Sequence, residues 1–134
     1  MWDMFDLTNE IYTQIKTAVL AIYPNAVVEK QYQATTTSFP YVTITDVDNP
    51  EIGSNLSNTG KQSNPSWQID IYANGSTGEI TAKKIRDAVM AVMEDYFFCT
   101  RDSSRPITNV SDITIYRWML RYSCNVDEDS KYIY

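Results

Sequence analysis

The sequence predicts an α+β domain, with two helices packed on one face of a mainly antiparallel sheet of about four to five strands. Three observations predict it. Two segments place apolar residues at steps of three and four. Shorter segments alternate apolar and polar residues. The order in which they occur is helix, three strands, helix, two strands.

The first helix runs from Asp6 to Ile22, where Leu7, Ile11, Ile15, Ala18, Val19 and Ile22 form one stripe. Asp3 or Asp6 caps its start, and Pro24 stops it just after Tyr23. Val27 to Tyr32 reads as a short strand. After the polar turn Gln33 to Ser38, Tyr41 to Asp46 is a second, with Val42 and Ile44 alternating against Thr43 and Thr45. Pro40 lacks an N–H, which suits the start of that strand. Residues Asp48 to Pro65 break the pattern. Only Ile52 and Leu56 are apolar there, so a long, mobile loop is expected, and loops of that length in a compact domain are usually functional or disordered. Ser66 to Tyr72 returns to strand, with Trp67, Ile69 and Ile71 on one face and Gln68, Asp70 and Tyr72 on the other.

Asn74-Gly75 turns the chain, and Ser76 with Glu79 has the spacing of a capping box. The second helix extends to about Tyr96 on the stripe Thr81, Ile85, Ala88, Val89, Val92, Met93 and Tyr96. Arg101 to Asn109, with Pro106, reads as a loop. Ser111 to Val126 is one long strand: Thr114, Tyr116, Trp118, Leu120, Tyr122 and Cys124 point to the helices, and Ile113, Ile115, Arg117, Met119, Arg121 and Ser123 point outward. Asp127 to Ser130 is an acidic turn, and Lys131 to Tyr134 a last short strand. With 134 residues and no linker, residues 1–134 are expected to form a single domain around one core.

Composition restricts function. Eleven Lys and Arg against seventeen Asp and Glu leave a net charge of -6, without the basic footprint that dominates affinity for nucleic acid. There is no histidine, which removes the commonest general base and metal ligand. No activating partner stands near a nucleophile, so no enzymatic activity, catalytic residue or cofactor is expected. Three adjacent acids, Asp127-Glu128-Asp129, could hold a hard cation, but such turns usually face solvent, and no metal is expected. Gly75-Ser76-Thr77-Gly78 opens a helix without the spacing or lysine of a phosphate-binding loop. The N-terminus is acidic where a signal peptide would be basic, and the longest apolar runs are too short to span a membrane, so a chain that stays in the cytoplasm that made it is expected. Cys99 and Cys124 lack redox or zinc spacing and read as two reduced, semi-buried thiols.

Two features invite partners. Lys83, Lys84 and Arg86 sit early in the second helix, where cations oppose its dipole; an acidic neighbour, a partner or a Lys83–Asp87 pair would hold them. The outward face carrying Asp70, Tyr72, Arg117, Met119 and Arg121 is half apolar and half cationic. Pairing of Asp70 with an arginine across the strands would explain part of it. A subunit contact explains all of it, since interface cores favour Tyr, Met and Arg.

The order of segments also carries a resemblance. The first helix is followed by Phe39-Pro40-Tyr41-Val42-Thr43-Ile44, the long polar loop, and Trp67-Gln68-Ile69-Asp70-Ile71-Tyr72. Then come Ala82-Lys83-Lys84-Ile85-Arg86-Asp87-Ala88-Val89 and Arg121-Tyr122-Ser123-Cys124-Asn125-Val126-Asp127. From about Asn9 onward this resembles the tail terminator (tail completion, head-tail joining) proteins of tailed bacteriophages and prophage-like particles. The resemblance implies an α+β subunit of a homo-hexameric ring at the head-proximal end of the virion tail. It implies as partners the tail tube protein, the head connector protein and, in contractile tails, the sheath protein. DNA would pass through such a ring without specific binding. The interface residues expected from the outward sheet face are Asp70, Tyr72, Arg117, Met119 and Arg121, and from the long loop its two apolar residues, Ile52 and Leu56. A stand-alone protein-binding module of a phage or prophage is the alternative.

Overall fold

The computed structural model describes residues 7–30, 38–48, 51–54, 61–108, 114–127 and 132–133. Helix α1 (Leu7–Ile22) leads into β1 (Val27–Glu29), β2 (Tyr41–Asp48), β3 (Glu51–Ser54), β4 (Lys61–Ser63) and β5 (Ser66–Asn74). Helix α2 (Gly78–Ala91) runs on into a π-turn (Val92–Tyr96), followed by β6 (Thr100–Ile107), β7 (Ile115–Ser123), β8 (Val126–Asp127) and β9 (Tyr132–Ile133). The main sheet has the order β1-β2-β5-β7-β6, antiparallel except for β1 beside β2, and a small sheet has the order β3-β4-β8-β9. This is the α+β architecture that the two periodicities predict.

The core lies between the helices and one face of the main sheet. Leu7, Ile11, Ile15 and Val19 of α1 and Ala82, Ile85, Val89 and Met93 of the second helix meet Val42, Ile44, Trp67, Ile69, Ile71, Leu120 and Tyr122. Burial of the larger aliphatic side chains among these, each worth roughly 1.5–3 kcal/mol when complete, is what holds the layers together. A polar clamp fixes the start of α1 on the sheet. Trp67 Nε1 donates to Thr8 Oγ1 (2.8 Å), and the Thr8 hydroxyl donates to Asp46 Oδ1 (2.6 Å). Tyr23 N still bonds Val19 O at 2.8 Å, and the helix ends before Pro24 as expected. Asp3 and Asp6, the expected caps, lie outside the described residues.

Besides the long strand expected over Ser111–Val126, which breaks at Cys124 and Asn125 into β7 and β8, four expectations change. First, Arg101 to Asn109 is not a loop: Thr100–Ile107 is a full strand at the sheet edge. Its Pro106 and the register shift between Arg101 and Ser103 are devices that edge strands tolerate and central strands do not. Second, the Asp48–Pro65 segment is not one mobile loop. Strands β3 and β4 pair within it, and the ladder continues the main sheet. Asp48 faces Ser66 and, three residues on, Glu51 faces Ser63; Ser66 faces Ser123 and, three residues on, Ser63 faces Val126. The small sheet is therefore a bent extension of β2, β5 and β7. At the bend Cys124 N donates to Pro65 O (3.2 Å), and Asn64 Nδ2 donates to Cys124 O (3.1 Å).

Third, Ser76 does not cap α2. The N-cap is Thr77, without a side-chain bond, and the Glu79 carboxylate takes Lys83 Nζ at 2.8 Å instead. Gly78 suits this start because a Cβ there would stand 3.2 Å from Ala73 O, tight against the backbone of β5. Fourth, Tyr96 is not a core residue. The π-turn accommodates one extra residue per turn, seen in the Phe97 N to Val92 O bond (3.1 Å), so Phe97 takes the buried position and Tyr96 swings out to 59% exposure. Ile22, at the end of the first stripe, is likewise 43% exposed.

Candidate interaction surfaces

The outer face of the main sheet is built in three rungs. Tyr41, Tyr72, Arg117 and Ile107 form one; Thr43, Asp70, Met119 and Arg105 the next; Thr45, Gln68, Arg121 and Ser103 the third. Strand alternation puts all twelve on the side away from the helices. The centre of this face is closed. Tyr41, Thr43, Asp70 and Met119 are buried, so Asp70 and Met119 serve inside the subunit. Arg117, one register step away on the diagonal, donates Nε (3.0 Å) and Nη2 (2.8 Å) to Asp70 Oδ1, and Gln68 Nε2 donates to Asp70 Oδ2 (2.9 Å). Arg121 Nε in turn donates to Gln68 Oε1 (2.9 Å), which completes a relay from Arg117 to Arg121. The Arg117 guanidinium also lies 5.5 Å from the Tyr72 ring centre, and the Tyr72 ring is 5.9 Å from that of Tyr41.

The cross-strand pairing of Asp70 with an arginine is thus realised, and the arginine is Arg117. The most exposed residues of this face are Thr45, Arg105 and Arg121, and the last two form a corner on the adjacent strands β6 and β7. Two guanidinium groups dominate it. Ile52 stands on β3 of the bent extension, and Leu56 lies outside the described residues.

A second surface lies on the opposite side of the molecule, along α2 and the π-turn. Asp87, Met90, Ala91, Glu94 and Asp95 line a shallow hollow. Glu94 is held from below: Tyr122 OH donates to its Oε2, and Arg101 contacts both oxygens at 3.3 and 3.4 Å. Burial, and then the bond to Glu94, push the Tyr122 phenol well above its ordinary value. Asp87 and Asp95 are exposed on the rim. Just beyond, Phe98 adopts φ +56 and presents a ring that is 73% exposed, next to Tyr96 at 59%. A left-handed backbone at a bulky aromatic is strained, at roughly 1–2 kcal/mol. Sequence reasoning missed both rings: it placed Tyr96 at the end of the core stripe of the second helix and assigned Phe98 no role.

Phe98→Gly is expected to leave the thermal midpoint within about 3 °C of wild type. Relief of the left-handed strain offsets the added chain entropy of glycine, roughly 0.5–1 kcal/mol. A drop beyond 5 °C (the order expected for about 1 kcal/mol or more) would mean that the ring packs inside its own subunit.

The basic cluster of α2 is satisfied within the helix and the sheet. Lys83 pairs with Glu79 rather than Asp87, which raises its ammonium above the ordinary value. Arg86 pairs with Asp87 at 2.9 Å and stacks 4.5 Å from the Trp118 ring centre. Cys99 and Cys124 are both free and buried, and a bond to Cys124, followed by burial, pushes the Cys99 thiol far up, away from thiolate reactivity. Residues 128–130 of the acidic turn lie outside the described residues. Among the described residues no group of three or more His, Cys, Asp or Glu is placed to hold a metal ion, and no helix is long and apolar enough to cross a membrane.

No protein-family model matches the chain, and no curated protein matches it. Among solved structures it is similar to a chain of the virion of the native gene transfer agent (GTA) particle. The TM-score is 0.59 and the identity 13%, with 92% of this chain and 99% of that chain covered. The two share a fold.

Proposed function

We propose that this chain is a structural protein of a phage or prophage-like particle, and within that class a tail terminator. Subunits would form a homo-hexameric ring on the head-proximal end of the tail tube, stop tube growth and dock on the head connector. Its role is mechanical, without turnover of a substrate. The observation that carries this reading is the end-to-end agreement of fold with a virion chain. The segment order that resembles the terminator family supports it, as do exposed arginines and aromatic rings, the groups that protein contacts favour. The extension of three sheet strands, with β3 at its edge, adds an unpaired strand edge of the kind that can reach a neighbour.

The test is particle mass in solution, by light scattering with negative-stain images, for the chain alone and mixed with tail tube protein. Rings near six subunits in either sample are expected. A chain that stays monomeric in both is the behaviour of a stand-alone binding module and would overturn the ring.

A further inference from the structure

We infer that the acidic-aromatic surface of the π-turn seats the Arg105–Arg121 corner of a second copy of this chain, an inference that rests on the ring reading above. The first half of the contact is Asp95 on the rim of the hollow, joined by Asp87, whose carboxylate also takes Arg86 of its own helix at 2.9 Å, and, following Asp95 in the chain, the exposed Tyr96 and Phe98 rings. Carboxylates and exposed aromatic rings are the groups a guanidinium prefers, by ion pairing and by stacking over the ring. The second half is the exposed corner of the outer sheet face, where Arg105 and Arg121 face solvent.

Charge complementarity selects another copy as the occupant. The chain carries a net charge of -6, so copies repel unless oppositely charged patches meet, and the corner is a cationic patch on an acidic protein. Geometry then fixes the type of contact. The helices cover one face of the sheet and the corner lies on the other, so one subunit cannot join its own two patches. The contact is head-to-tail, and a repeated head-to-tail contact closes into a ring when its rotation closes. The strained Phe98 backbone acquires a role in this arrangement: it aims a ring outward where the neighbour's guanidinium arrives.

The experiment uses two full-length variants, Arg105→Glu/Arg121→Glu and Asp87→Lys/Asp95→Lys, each with wild-type circular dichroism as the entry condition. Assembly is read as particle mass, alone, as a mixture of the two variants, and with tail tube protein present. Each variant alone is expected to assemble on the order of 100-fold more weakly than wild type, because like charges then face each other. The mixture should assemble again in alternating order, since each variant complements the other at both faces. Phe98→Gly should weaken wild-type assembly without lowering its melting point. If wild type assembles and both variants assemble equally well alone, the contact is overturned while the ring stands. If both fail alone and the mixture also fails, the two patches do not meet each other and the contact is overturned. If wild type itself stays monomeric under all conditions, the ring and the contact fall together. Where an entry variant loses its circular dichroism, Arg121→Glu and Asp95→Lys alone replace the pair and the same outcomes decide.

Discussion

Asp70→Ala is expected to destabilise the subunit by about 3 kcal/mol, the lower end of the cost of removing one partner of a buried ion pair. At this chain length that lowers the melting point by roughly 10–15 °C. The carboxylate is 8% exposed and accepts two bonds from Arg117 and one from Gln68. Its removal strips those bonds from a guanidinium that must still be accommodated. Arg117 keeps 28% exposure and so retains some hydration, which is why the lower end of the range applies. The double variant Asp70→Leu/Arg117→Met should be milder than Asp70→Ala, because an apolar pair of similar volume leaves no charge without its partner. Thermal melts of the two variants decide. Asp70→Ala melting within 3 °C of wild type would show that the pair is not structural and return Asp70 to the surface contacts.

The same residues show how far the sequence reads. Trp67, Ile69 and Ile71 of β5 and Leu120 and Tyr122 of β7 alternate cleanly because central strands have their two faces in different environments. That alternation also placed Asp70 and the arginines on one side. It could not choose Arg117 over Arg121, since the choice depends on the diagonal between two strands, and register is a property of the pair. Strand β6 was illegible because an edge strand is held chiefly through its backbone. Its sequence, TRDSSRPI, carries the polar and proline residues that keep an edge from pairing further. Strands β3 and β4 were illegible for a related reason: their ladder is inherited from the register of β2, β5 and β7 beyond a bend.

The helical stripes were legible until the chain left the 3.6-residue period. One π-turn moved Tyr96 from core to surface and brought Phe97 in, and no composition cue marks that extra residue. The outward Phe98 follows from a single backbone dihedral and from nothing in its side-chain type. Residues that oppose local preference in this way, as Phe98 does, are where interaction surfaces concentrate. The surface that sequence reasoning favoured proved half closed, and the surface it missed carries the exposed rings.

Replacement of residues 52–56 by Gly and Ser is expected to abolish assembly while the five-stranded sheet persists, with a melting point within about 5 °C of wild type. The small sheet has β3 at one edge, paired only with β4 in the strand order, so loosening it removes no main-sheet ladder. The base of the extension is anchored separately. Ser63 and Val126 are buried and paired, and the Asn64 amide is tied to Cys124 O and to Asn125 Oδ1. Amides of Gln62 and Ser63 should therefore exchange slowly with solvent even in the free subunit, in contrast to the expectation of a uniformly mobile loop. Function is the link that should break. In the ring reading the extension reaches a neighbouring subunit or the tube, and a glycine-rich chain would have to be ordered at that moment, at roughly 1–2 kcal/mol per residue. Five residues make that a cost of the order of a whole interface, so a loss of assembly of 100-fold or more is the expected result. Particle mass with tail tube protein measures it, alongside hydrogen exchange at Gln62 and Ser63. If the variant assembles as wild type does, the extension is not a contact, and the ring must close through the sheet corner and the π-turn alone.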